Sequence, residues 1–127
     1  MRIGDGDEWL RVNGAGEALT LSTVDFENFC VPRPELPGAA LDDFEQAVRV
    51  LAGNDWGFRL HASYGETIDS YLAIFDVFAA GGCPNGTRWF FDHAETASQR
   101  SLERIVALGG AISVQNRTVM DCDPVVG

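Results

Sequence analysis

Two histidines, His61 and His93, are the residues best placed to do chemistry. Each closes a short apolar run, Gly57-Phe58-Arg59-Leu60-His61-Ala62 and Arg88-Trp89-Phe90-Phe91-Asp92-His93, and each precedes a helical pattern. In a parallel α/β sheet or barrel all strand C-termini open on one face, and that face carries ligands and reacting groups. The two residues are 32 positions apart, about one β/α unit. Ends of adjacent strands lie about 5 Å apart in the pairing direction, so both imidazoles could reach one ion, and zinc takes histidine nitrogens at about 2.0–2.1 Å. A single isolated histidine is more simply a hydrogen-bonded core or loop residue, but two at equivalent positions favour metal ligands. Asp92 and Glu95 flank His93 and are expected to orient its ring by hydrogen bonds from outside the coordination sphere. Glu66 reads as a helix-capping group and Asp69 as a solvated helix residue, and no catalytic base is assigned. Two ligands do not fill a zinc shell, so half of the site is missing on this reading.

Composition removes several other chemistries. The chain has 127 residues and no lysine, its nine cations all being arginine. Schiff-base chemistry, a phosphate-loop lysine and a carboxylated-lysine metal bridge are therefore excluded within it. A net charge of −10 argues against nucleic acid and anionic membranes as partners. No apolar stretch approaches the roughly 20 residues of a membrane span. The start, Met1-Arg2-Ile3-Gly4-Asp5, lacks the apolar core of a signal peptide, and a cytoplasmic location is expected. Cys30, Cys83 and Cys122 form no CxxC pair and read as reduced thiols. Gly81-Gly82-Cys83-Pro84-Asn85-Gly86 follows a helical pattern rather than a strand, so it reads as a turn and not a phosphate cradle. Trp9, Trp56 and Trp89 read as packing residues.

The elements that must position the histidines follow from periodicity. Trp9-Leu10-Arg11-Val12-Asn13 alternates as a strand ended by Gly14-Ala15-Gly16, with Arg11 directed either to a site or to solvent. Residues 17–40 are too long for a simple connector, and Pro32, Pro34, Pro37 and Gly38 make their second half a loop. Leu41, Phe44, Val48 and Leu51 predict a helix over 41–51, with Asp42, Asp43 and Glu45 near its positive end. A strand over 57–61 follows. Ser63 and Glu66 form a candidate capping box for a helix to Ala80, with Ile68, Tyr71, Leu72, Phe75 and Phe78 on its buried face. A strand over 88–93 leads to a second candidate box, Thr96 and Gln99, and to a helix marked by Leu102, Ile105, Val106 and Leu108. Ala111–Gln115 reads as a last strand. The order is β, loop, α, β, α, β, α, β, which predicts a parallel sheet, with all helices on one side if the strands follow in spatial order.

Phe58-Arg59-Leu60-His61-Ala62, Phe90-Phe91-Asp92-His93-Ala94-Glu95 and Leu108-Gly109-Gly110-Ala111-Ile112-Ser113-Val114-Gln115 resemble successive barrel strands of the amidohydrolase superfamily, in its amidohydrolase-3 branch. Trp9-Leu10-Arg11-Val12-Asn13-Gly14-Ala15-Gly16 is similar to the strand that precedes them, and the likeness covers most of residues 5–117. It implies an α/β fold, a partial (β/α)8 TIM barrel of about four parallel strands, strands four to seven, forming a single domain over 1–127. It implies a metal-dependent hydrolase of amide or other C–N bonds acting on a small molecule. His61 and His93 would be the ligands of a divalent ion, zinc, that polarises the scissile carbonyl and lowers the pKa of water to about 7. The family's His-x-His pair and the aspartate of its eighth strand have no counterpart here. Arg11 stands where many relatives carry a bridging lysine. The leading expectation is therefore a fragment, incomplete as a catalyst unless the missing strands or a partner chain complete it. Its open sheet edges should favour self-association into a dimer or larger homo-oligomer. The alternatives are a non-catalytic α/β binding or interaction domain on the same scaffold, and a small independent hydrolase with a site built across a dimer.

Overall fold

A computed structural model describes residues 1–25, 31–81 and 86–114. Three parallel strands, β1 (Phe58–Ala62), β2 (Trp89–His93) and β3 (Ala111–Val114), lie in spatial order β1-β2-β3. Helices α1 (Gly38–Gly53), α2 (Gly65–Ala80) and α3 (Gln99–Ala107) alternate with them. The molecule is thus α/β, as the alternating pattern predicts.

The core lies on one face of the sheet. Phe58, Leu60 and Ala62 of β1 and Trp89 and Phe91 of β2 point into it, with Phe44 and Val48 of α1, five apolar residues of α2 and Ile105 of α3. All three helices therefore cover the same face, as right-handed crossovers between neighbouring strands require. The five residues predicted for the buried stripe of α2 (Ile68, Tyr71, Leu72, Phe75 and Phe78) are all buried. Phe75 sits at the centre, its ring 4.8 Å from Trp89 and 6.1 Å from Phe58. The opposite strand positions, Arg59 and His61 on β1 and Phe90 and Asp92 on β2, look onto the uncovered face. Among the described residues no helix is long and apolar enough to cross a membrane.

Several local expectations need correction. Residues 9–13 form no strand, and Trp9 and Leu10 are exposed. The chain that runs parallel beside β1 is 15–17. Ala15 N–H donates to the Gly57 carbonyl, Arg59 N–H to Ala15 and His61 N–H to Glu17. The glycines read as a stop are what permit this pairing: a Cβ on Gly14 would meet the Gly57 carbonyl, and one on Gly16 would meet Arg59. Alternation at 9–13 was a false signal because a hairpin-like turn there satisfies its own backbone, Val12 N–H donating to Asp5 and Gly4 N–H to Val12.

Neither capping box forms. The first residue outside α2 is Tyr64, and the helix start is capped from far away in sequence by Asp25. Its carboxylate accepts from the backbone N–H of Ser63 (2.9 Å) and Tyr64 (3.2 Å) and from Thr67 Oγ1 (2.6 Å). Ser98 caps α3, accepting from Ser101 N–H, while Thr96 Oγ1 accepts from Gly65 N–H. The buried side of α3 is Ser101 and Ile105, whereas Leu102 and Val106 are exposed. Asp69 is not merely solvated: it accepts from Ser101 Oγ of α3 at 2.9 Å. The three cysteines lie outside the described residues, as does Gln115, the predicted last residue of β3.

Candidate metal centre

The C-terminal ends of the 15–17 segment, β1 and β2 deliver Glu17, His61 and His93 to one point. One ligand atom from each can be chosen so that all three lie within 4.8 Å of one another. His61 Nδ1 is 3.7 Å from Glu17 Oε1, and His93 Nε2 is 3.7 Å from Glu17 Oε2. The two rings meet edge to face with centroids 4.3 Å apart.

Strand geometry alone would not bring the rings together. His61 is the register partner of Asp92, and His93 that of Ala62. Alternation puts His93 on the side of Trp89 and Phe91, toward the helices. The backbone leaves the strand at this point instead: His93 has φ 78° and Ala94 φ 52°. Two successive non-glycine residues in the left-handed region turn the strand end and bring the imidazole to His61. Such conformations are costly and persist where the surroundings impose them, often at functional sites.

The nitrogens of the pair are the second indication. His61 Nε2 and both nitrogens of His93 are buried and make no hydrogen bond. Leaving such a group unpaired costs about 1–3 kcal/mol, and of the three only His93 Nε2 faces Glu17, where an ion would satisfy it. A tetrahedral zinc with bonds of about 2.0–2.1 Å separates its ligand atoms by about 3.3 Å, so three ligand atoms within 4.8 Å of one another draw together on it by side-chain rotation. The residues fit a divalent cation. Two histidines and a glutamate with a free position form the donor set of catalytic zinc in several hydrolases.

Arg59 lies across the same face. Its Nε donates to Asp92 Oδ2 at 2.6 Å and its Nη2 to Glu17 Oε2 at 3.5 Å. The hydrogen bond that it donates to Asp92 raises the already high pKa of the guanidinium. Burial works to raise the pKa of Glu17, but the two imidazoles and Arg59 outweigh it and leave the carboxyl below its ordinary range.

Of the residues expected from sequence, His61 and His93 are brought together. Asp92 is turned to Arg59, and neither Asp92 nor Glu95 hydrogen-bonds the His93 ring, whose nitrogens make no hydrogen bond. Glu66 makes no capping bond to α2. Arg11 is exposed, bonded to the Asp7 carbonyl, and takes no part. The residue that sequence reasoning missed is Glu17, six positions beyond Arg11. Its one available signal was position, at the end of the extended segment preceding the first helix, and a three-residue segment is too short to show alternation.

Comparison with protein-family models, with curated proteins and with solved structures returned no match.

Proposed function

We propose that this chain is a segment of a metal-dependent hydrolase of the amidohydrolase type, in which Glu17, His61 and His93 hold one divalent ion, zinc by preference of the donor set. The observation that carries the reading is the meeting of these three side chains at adjacent parallel strand ends, with His93 Nε2 buried beside Glu17 and without a hydrogen bond. Sheet order β1-β2-β3, the parallel 15–17 segment beside β1 and helices on a single face support placing the chain in a (β/α)8 barrel, whose reactive face is this rim. An ion held here supplies Lewis-acid polarisation of an amide carbonyl and acidifies water toward neutral pH. The chain's own contribution is to present an ionised carboxylate and two imidazoles, with the uncovered sheet face left to a small-molecule substrate. Among the described residues β3 is an edge strand, which supports self-association, or completion by further strands, at that edge.

The test is zinc content of the purified chain by plasma mass spectrometry, with zinc titration by calorimetry. The expected result is one ion per chain, lost in His61→Ala and His93→Ala and weakened in Glu17→Gln, with folding preserved by circular dichroism. A wild-type chain that binds no zinc, or variants that bind it equally well, overturns the reading. Iron at the same three ligands would point instead to a non-haem oxygenase, which uses two histidines and a carboxylate as well.

A further inference from the structure

We infer that Arg59 is a positioning residue that holds the Glu17 carboxylate against the two imidazoles. The inference rests on the metal-site reading and adds the device that presets the site. Arg59 stands on the central backbone of three. On one side its Nη2 reaches Glu17 Oε2, and on the other its Nε reaches Asp92 Oδ2. The oxygen it contacts on Glu17 is the one that faces His93. Glu17 is the most exposed member of the triad, its side chain 39% accessible against 14% for His61 and 11% for His93. It is therefore the ligand with most freedom to turn away.

Asp92 sets the geometry of the clamp. It is buried, and its 2.6 Å bond to Nε is a charge-assisted one that fixes the guanidinium plane. The Phe90 ring, 5.9 Å from the guanidinium carbon, borders the same group. With Nε committed to Asp92, the other end of the fork is left for Glu17. Remove the guanidinium, and two carboxylates remain across β1 with no cation between them. Repulsion then favours rotation of the exposed Glu17 into solvent, away from the histidines.

A lysine cannot replace this device. Its ammonium is a single point of charge, whereas the arginine fork bridges two acceptors in fixed geometry. The full chain should therefore be titrated with zinc alone as wild type, Arg59→Met, Arg59→Lys and Asp92→Asn. Partners that orient metal ligands typically change affinity by about 10- to 100-fold, and a loss in that range is expected for Arg59→Met. Arg59→Lys should recover only a small part of it, and Asp92→Asn should weaken zinc in the same direction by freeing the fork. Unchanged affinity in Arg59→Met with lowered thermal stability would make Arg59 merely structural and overturn the inference. Full recovery by lysine would overturn the bridging role. If the wild-type chain takes no zinc, the metal reading fails separately, and crystal structures of wild type and Arg59→Met decide the matter. Glu17 displaced from the imidazoles supports the clamp, and Glu17 unmoved refutes it.

Discussion

Replacing Asp25 by alanine should be among the most damaging single changes available in this chain. The Asp25 side chain is fully buried and takes bonds from Ser63 N–H, Tyr64 N–H, Thr67 Oγ1 and Arg33 Nε, the last at 2.5 Å. Loss of a helix cap alone costs about 0.5–2 kcal/mol. Removing one member of a buried ion pair costs about 3–5 kcal/mol, because the surviving charge is left uncompensated, and Arg33 is itself only 9% accessible. These effects share one carboxylate and do not add, so a loss of about 4 kcal/mol is expected, a large share of a typical domain's 5–15 kcal/mol. In urea, with a slope of about 1.5 kcal/mol/M, the midpoint should fall by roughly 2.5 M. Asp25→Asn should be nearly as harmful, since an amide presents only one acceptor oxygen where donors converge on both. A double-mutant cycle with Arg33→Met isolates the ion pair from the cap. A loss below about 1 kcal/mol for Asp25→Ala would show that α2 starts without remote help, and would refute the capping argument.

Burial pushes the Tyr71 phenol up to about 12, and its hydroxyl donates to the Thr23 carbonyl. The folded state therefore binds the proton more tightly than the unfolded chain, whose tyrosine titrates near 10. This contribution is intact below pH 10, fades as the pH rises toward 12 and amounts to about 3 kcal/mol at most. Denaturation measured from pH 9 to 12 should show the decline, and Tyr71→Phe should flatten it. Gly16→Ala would place a methyl against the Arg59 side chain and 2.8 Å from its carbonyl. It should cost about 1–3 kcal/mol as an overpacked contact and weaken zinc binding although no ligand is touched. A variant as stable as wild type would show that the 15–17 segment has room to move.

Legibility tracked the length of the pattern and the distance to the partner. Helix α2 offered about three turns of apolar spacing, from Ile68 to Phe78, and its buried face was readable residue by residue. The two histidines were readable because each ends an apolar run with no competing pattern. Residues 15–17 were not, because three residues carry no period and two glycines imitate a stop. The caps failed for another reason. Ser63 and Thr96 have the right chemistry at the right offset, but the α2 start faces a buried carboxylate 38 positions upstream, which no local window contains. In α3 the small Ser101, not Leu102, is buried, because its hydroxyl bonds Ser98 and, on α2, Asp69.

These failures converge on one place, the turn Ser63–Gly65 that follows β1. Asp25 holds its N–H groups from one side. From the other, Thr96 N–H donates to the Ser63 carbonyl, and Thr96 Oγ1 accepts from Gly65 N–H. Gly65 allows the approach, since a Cβ there would lie 2.8 Å from the Thr96 carbonyl. The left-handed residues His93 and Ala94 stand just ahead of Thr96, and Ala94 N–H donates back to Ala62. The unfavourable turn that carries the second imidazole is thus fastened to the turn that follows the first. A site whose ligands lie on different strands needs such fastening, because a shift of about 1 Å is enough to spoil it. The polar groups that local patterns would spend on capping single helices are spent here on tying two strand ends together, and that is why local rules misread them where the two histidines meet.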